Sequence, residues 1–248
     1  MESGVYKQFY EFEKDHWWSK GMRFLCKRMV DRYCKERDGA LILDIGCGTG
    51  ELTHELDKNM PGVIGADMSS EAVEFCRKRA VSTLVMTKAE ATGFKGGSFS
   101  AVIAFCLMEH ISDDALFLAE MHRILKPGGH LIIVTSAFQF LWSKHDEIAH
   151  HKRRYRLSVI KRLLKERGFR IRKATYINSA VFPAVLVIRI VQRLFGLGPK
   201  SNEGFMLDLV KLPGAVNEIL YGLLKTEARA LDYINFPVGV GILCVVEK

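Results

Sequence analysis

Much that would announce a function is missing from this sequence. Its six cysteines, at 26, 34, 47, 76, 106 and 244, form no CxxC pair. Neither a disulfide framework nor a zinc site is implied, and no metal is expected. A reducing cytoplasm is the compartment this usage predicts. Low-complexity tracts and repeats with periods of about 20–50 residues are absent, which removes solenoids and linker-rich chains. The opening stretch, MESGVYKQFYEFEKDHWW, is charged and lacks the apolar core of a secretory signal. The most apolar run, Ala180 to Ile188, is too short to span a bilayer, which takes about 20 such residues. What is left is an ordinary globular composition, 48% hydrophobic and 26% charged over 248 residues. That suits one large domain, or one domain with an appendage.

Charge is not scarce but unevenly placed. Residues 39–140 carry 8 Lys/Arg against 12 Asp/Glu, whereas residues 141–248 carry 19 against 9. The last third alone therefore carries +10, more than the net charge of +8, which points to an anionic partner or surface there. Within it, HDEIAHHKRRYRLSVI, from His145 to Ile160, gathers three histidines and four cations around Tyr155.

The middle of the chain reads as alternating strands and helices. ALILDIGCGTGELTHEL opens with a buried strand ending at Asp44 and Ile45, passes through the turn Gly46-Cys47-Gly48-Thr49-Gly50, and continues as a helix. Glycines there let the backbone adopt positive φ and approach a ligand closely. The spacing is GxGxG, with Glu51 in the place of the third glycine of a dinucleotide fingerprint. A second strand, GVIGADMS, ends at Asp67, where a carboxylate can accept both hydroxyls of a ribose. SEAVEFCRKRA predicts a helix capped by serine, TLVMTKAEA a third strand, and FSAVIAFCLMEHI a fourth that turns polar at Glu109-His110. DDALFLAEMHRILKPGG predicts an amphipathic helix stopped by Pro127-Gly128-Gly129, and HLIIVTS a fifth strand. This rhythm predicts an α/β fold with a parallel, doubly wound sheet.

LDIGCGTG, GADMS, SFSAVIAFCLMEHI and EMHRILKPGGHLIIV resemble, in order and spacing, the motifs of class I S-adenosylmethionine-dependent methyltransferases over residues 40–136. The resemblance implies a Rossmann-like seven-stranded sheet whose last strand is antiparallel, with S-adenosyl-L-methionine as cofactor and S-adenosyl-L-homocysteine as product. It implies that Gly46, Gly48 and Gly50, with Cys47 and Thr49 of the same turn, surround the methionine part of the cofactor. Asp67 would hold the ribose, and Met68 would pack on the adenine. Ala89 and Glu90 would edge that ring, while Phe105, Cys106 and Leu107 would line the floor. Asp44 would support the turn. The sequence departs from the family pattern at Lys88, where an acid often precedes the Ala-Glu pair, and at Ser100 of Ser-Phe-Ser.

The ends resemble a subset of the same family. His16-Trp17-Trp18 followed by Arg23 is similar to an amino-terminal helical lid, 1–38, in which Arg23 could pair with the cofactor's carboxylate. HHKRRYRL resembles an H-x-R-R-Y element placed just after strand five, beside the methyl donor. There His145, His150, His151 or Tyr155 could serve as base. Arg153 and Arg154, with Trp18 and His110, would contact the acceptor. Lys161, Arg162, Lys165 and Arg167 read as the solvated face of a following helix. A core over 39–178 is then followed by a helical cap or membrane-facing insertion at 179–235 and a closing strand at 236–248. The reading is methyl transfer to the oxygen or nitrogen of a small or lipid- or glycan-linked acceptor. One alternative is an RNA methyltransferase gripping phosphate through residues 152–156, although no Asn-Pro-Pro-Tyr or Pro-Cys element favours nucleic acid. Another is a non-catalytic module that binds the cofactor or is recruited to a membrane.

Overall fold

The computed structural model describes residues 5–34, 39–195 and 212–248. Two helices, α1 (Val5–Phe12) and α2 (Trp17–Tyr33), lead into β1 (Ile42–Ile45), α3 (Glu51–Asp57), β2 (Val63–Asp67), α4 (Ser70–Lys78) and β3 (Leu84–Met86). There follow β4 (Phe99–Phe105), α5 (Asp114–Ile124), β5 (Leu125–Ser136), α6 (Lys144–Ile148), α7 (Leu157–Glu166) and β6 (Arg170–Ile177). The chain ends with α8 (Phe182–Phe195), α9 (Gly214–Ala230) and β7 (Gly241–Glu247).

The seven strands form one sheet in the order β3-β2-β1-β4-β5-β7-β6. Strands β1 to β5 pair in parallel, and β7 inserts antiparallel between β5 and β6. Helices cover both faces, so the central strands read as continuous apolar runs, and alternate residues divide between two cores. Leu43, Val102, Ala104, Leu131, Ile133 and Cys244 join Phe117, Leu118 and Met121 of α5 and Ile160 and Leu164 of α7. Ile42, Ala101, Ile103, Ile132, Val134, Leu243 and Val245 join Met22, Leu25 and Met29 of α2, Leu52 and Leu56 of α3, and Ala228 beyond them in α9. Strand order reverses between β1 and β4, which opens a crevice at their carboxyl ends.

The flanking segments divide between the sheet core and the crevice. Among the described residues of the amino-terminal segment, α1 stands over the crevice, whereas the apolar stripe of α2 is buried in the sheet core. Helix α9 packs on α2, with Leu224 against Gly21. Helix α8 remains largely exposed, Arg189 being its buried residue. The middle of the insertion, 196–211, lies outside the described residues, as do 1–4 and 35–38 of the amino-terminal segment. Among the described residues no helix is long and apolar enough to cross a membrane.

Candidate functional site

The glycine turn bends at the switch point of the sheet. The Gly46 and Cys47 amides donate to the Ala66 carbonyl at 2.7 and 3.1 Å, holding the turn against β2. Gly48 and Gly50 have φ of +56° and +84°. A side chain on Gly50 would meet Cys76 Sγ at 2.7 Å, whereas one on Gly48 would meet nothing within 4 Å. The open side of the turn thus lies at Gly48, and a ligand backed by bare peptide fits there. Asp67 closes the other side: its carboxylate accepts from the Gly48 amide at 3.0 Å and the Ser69 amide at 2.9 Å. Burial pushes its pKa up, and those amide bonds oppose the rise. Asp44, 2% exposed, accepts one bond from Thr53 Oγ1 at 2.6 Å. Burial pushes its carboxyl up to about 6.

The floor and rim follow from β4 and β3. Phe105 ends β4 and stacks with Trp18 of α2, rings 5.9 Å apart, while Cys106 turns the chain at φ +49°. Leu107 packs under Gly46. Ala89 is buried in a small turn closed by the Lys88–Ala91 bridge, with Glu90 at its half-exposed edge. Met68 is 67% exposed at the tip of β2.

Helix α1 lies across this crevice. Tyr6 is buried against Ala72 and Phe75 of α4. On the opposite side Val5, Phe9 and Phe12 pack on Ile148 and Ala149 at the end of α6. Just after α1, Glu13 accepts from the Thr49 hydroxyl and from Arg79 Nη2, the latter at 2.8 Å. Arg79 also bonds the Thr49 carbonyl at 2.9 Å and pairs with Glu51. Sequence reasoning missed Glu13 and Arg79, since nothing in their spacing marks two groups 66 residues apart as partners. It also placed Arg23 differently. That guanidinium is buried and committed to Glu55, at 2.7 Å, and to the Glu13 and Lys14 carbonyls. It therefore ties α2 to α3 and to the chain after α1 instead of offering a fork to a ligand carboxylate.

The histidine-rich stretch packs beside the floor. The Lys152 amide donates to the Glu109 carbonyl at 2.8 Å, and Glu109 itself is buried between the Thr135 and Ser136 hydroxyls at 2.8 and 2.9 Å. His151 Nδ1 lies 2.8 Å from Asp146 Oδ1, and Arg154 grips the same fully buried carboxylate with bonds of 2.7 and 3.0 Å. Burial works to raise the Asp146 pKa, but the bonds from His151, Arg154 and Ser143 outweigh it and hold the group ionised well below the usual range. The His110 ring meets His151 edge to face at 4.7 Å, and His145 meets it at 5.7 Å. Burial, and the neighbouring His151, lower His110 to about 4, so it stays neutral. His150 is exposed, at φ +55°.

Two sequence assignments change here. Tyr155 is no base: it is buried, its hydroxyl donates toward Asp114 at 2.8 Å and lies 3.1 Å from the Met108 carbonyl, and burial pushes its pKa far up. Arg154 offers no fork to an acceptor, because Asp146 and the Ala137 carbonyl hold its guanidinium. Arg153 pairs with Asp114 at 3.2 Å and bonds the Ser112 carbonyl, and Lys152 bonds Ser112. The 152–156 run is therefore no continuous phosphate grip. Its remaining side chain, Arg156, makes no hydrogen bond or ion pair among the described residues. Among those residues no group of histidines, cysteines and carboxylates is arranged to hold a metal ion.

Comparison with known proteins bears on this arrangement. Residues 43–133 match the family model described as a methyltransferase domain. A ubiquinone biosynthesis O-methyltransferase of Chelativorans sp. (strain BNC1) is 34% identical over 109 residues, which is 42% of this chain and 43% of that protein. A Brucella anthropi protein of the same name is 34% identical over 103 residues. The similarity thus spans less than half the length of these curated relatives. Among solved structures, a SAM-dependent methyltransferase from Archaeoglobus fulgidus superposes with a TM-score of 0.55 at 19% identity, covering 91% of this chain and 94% of that one. Haemonchus contortus phosphoethanolamine N-methyltransferase 2 in complex with S-adenosyl-L-methionine gives 0.57 at 20% identity, covering 88% and 51%. Residues 43–133 thus match a methyltransferase-domain family model, and the sheet around them has the same fold as these solved methyltransferase structures.

Proposed function

We propose that this chain transfers a methyl group from S-adenosyl-L-methionine to a hydroxyl of a small molecule, with His151 as base. When bound, the cofactor supplies a methyl on a positively charged sulfur, open to in-line displacement. The open face at Gly48 would take its methionine part, and Asp67 keeps lone pairs for the ribose hydroxyls beyond the two amides it already accepts. Asp44 is the acid behind the turn. Trp18 and Phe105 would wall the crevice. Helix α1 serves as the lid, packed through Tyr6 on α4 and fastened by Glu13 on the turn itself.

The observation that carries hydroxyl chemistry is the Asp146–His151 pair. An ionised Asp146 fixes the proton on Nδ1, so Nε2 presents its lone pair and can remove the acceptor proton as oxygen attacks carbon. Asp146 then stabilises the imidazolium, and Arg154 keeps the carboxylate in place. Such a base contributes about 10²–10⁴-fold to rate, and positioning and desolvation supply the rest.

Calorimetric titration with S-adenosyl-L-methionine and S-adenosyl-L-homocysteine tests the cofactor half. Micromolar binding is expected, weakened at least tenfold in Asp67→Ala. A folded protein that binds neither would overturn the reading. Labelled methyl transfer to a panel of phenols, catechols, amines and lipid-linked alcohols tests the acceptor half. His151→Gln should lower kcat at least 100-fold with KM little changed. Turnover on amines alone, with His151 dispensable, would sink the hydroxyl reading.

A second reading concerns where the acceptor is met. Helix α8 leaves Val187, Ile188, Ile190, Val191, Leu194 and Phe195 exposed beside the cationic Arg193. An apolar face with basic residues suits contact with an anionic membrane surface. We propose that α8 makes such a contact.

A further inference from the structure

A cavity of about 500 Å³ opens beyond the end of β5, lined by Asp114, Gln139, Phe140, the 153–156 segment and the α7 residues Val159, Arg162 and Leu163. Of its lining only Arg154 has a part in the chemistry just described, through its grip on Asp146. Its chemistry is set by two observations.

The first is charge. Four arginines border it: Arg153, Arg154, Arg156 and Arg162. Asp114 answers Arg153 at 3.2 Å, and Asp146 answers Arg154. Arg156 has no side-chain partner among the described residues. Arg162 has only Glu166, at 3.8 Å and with both side chains mostly exposed, an ion pair of little energetic weight. Arg156, Val159 and Leu163 follow at spacings of three and four, and Arg162 flanks them. The stripe that begins at the N-cap of α7 therefore presents one unpaired guanidinium, Arg156, and one weakly paired, Arg162, separated by aliphatic side chains. A guanidinium fork matches the paired oxygens of a phosphate or carboxylate.

The second is a stacking surface. Phe140 stacks on Phe138, rings 4.9 Å apart and 23° from parallel, and Phe138 stacks on Tyr176 at 4.8 Å and 14°. Phe140 is 42% exposed at the open end of this column. Phe138 holds φ +56°, a conformation costly for a residue with a side chain. It is locked there by its amide bond to the Tyr155 carbonyl at 2.7 Å and by the bridge between Ala137 and Tyr155. Strained backbone at this point fixes the aromatic column against the arginine stripe.

We infer that this cavity is a binding site for an anionic aromatic molecule, its phosphate or carboxylate held by Arg156 and Arg162 and its ring laid on Phe140. The sequence had given Arg162 to a merely solvated face; the fold turns it toward the same space as Arg156. None of the residues assigned to the cofactor lines this cavity, and its test does not depend on methyl transfer.

Calorimetry at low ionic strength with phenyl phosphate, benzoate, inorganic phosphate and benzyl alcohol decides it. Either aromatic anion is expected to bind at least fivefold tighter than inorganic phosphate, with benzyl alcohol showing no heat. Whichever of phenyl phosphate and benzoate binds tighter identifies the anion. The double variant R156Q/R162Q should weaken that binding at least tenfold, with an unchanged melting temperature because both side chains face solvent. Phe140→Ala should bring aromatic and inorganic anions to within twofold of each other. Equal binding by wild type and the double variant would overturn the assignment. So would competition by S-adenosyl-L-homocysteine, or absence of binding by the folded wild type.

Discussion

Single residues at the crevice make separable demands. At Gly48 an added methyl meets open space, so Gly48→Ala should cost only about 1 kcal/mol of stability from its left-handed φ. Cofactor affinity should nonetheless fall at least tenfold, because the methyl fills the ligand's side of the turn. At Gly50 the same methyl would strike Cys76, so Gly50→Ala should lose about 2–4 kcal/mol in urea denaturation. If both variants lost stability equally, the turn would have no open side. Asp44 gives a pH test. Its folded pKa, about 6, stands above the ordinary carboxylate value of 3.8. Its contribution to stability is therefore fully present below about pH 4 and lost as pH rises through about 6. Relative to wild type, Asp44→Asn should gain on the order of 3 kcal/mol between pH 4 and pH 7.5. Urea midpoints of both proteins at the two pH values check this, and a difference independent of pH would mean that Asp44 is not desolvated. Asp67 and the glycines were legible in the sequence because strand, turn and acid are local. Tyr155 and Arg154 were misjudged because their partners, Asp114 and Asp146, lie 41 and 8 residues away.

At the scale of elements, packing overrides propensity. Helix α2 carries Gly21 in its middle, where a Cβ would lie 2.8 Å from Leu224 Cβ of α9. Alanine outranks glycine by about 1 kcal/mol in a helix, and overpacking costs about 1–3 kcal/mol. Gly21→Ala should accordingly destabilise the protein by about 1–2 kcal/mol, read as a lowered denaturation midpoint. A stabilised variant would show that α2 and α9 do not meet as closely as described. Helix boundaries within the core were legible because caps announce them. Ser69 accepts from the Ala72 amide, and Asp113 from those of Ala115 and Leu116. Which helix faces the sheet was not legible at either end of the chain. The apolar stripes of α2 and α9 suit a lid or cap as well as they suit each other.

For the whole molecule, the unequal distribution of charge and the exposed apolar helix raise one question together. If α8 meets a membrane, the protein should co-sediment with vesicles of anionic phospholipid and much less with neutral ones. The double variant I188D/L194D should abolish this while leaving cofactor binding intact. Equal sedimentation by the variant would remove α8 from the contact. Surface substitutions of this kind ordinarily change stability by no more than about 0.5 kcal/mol, so loss of folding is not expected to confuse the result.

Local pattern was enough to read the order of strands and helices through the core, the glycine turn and the acid at the tip of β2. Each of these depends on periodicity, caps or φ within a dozen residues. What lies next to what came from the folded arrangement. It closed α1 over the turn through Glu13 and Arg79, joined His151 to Asp146, committed Arg23 and Arg154 to ion pairs, and left Arg156 and Arg162 facing a cavity. Those outcomes depend on which charges lose their water together. A guanidinium buried beside a carboxylate is held there by that loss, and a one-dimensional pattern does not carry the distance between them.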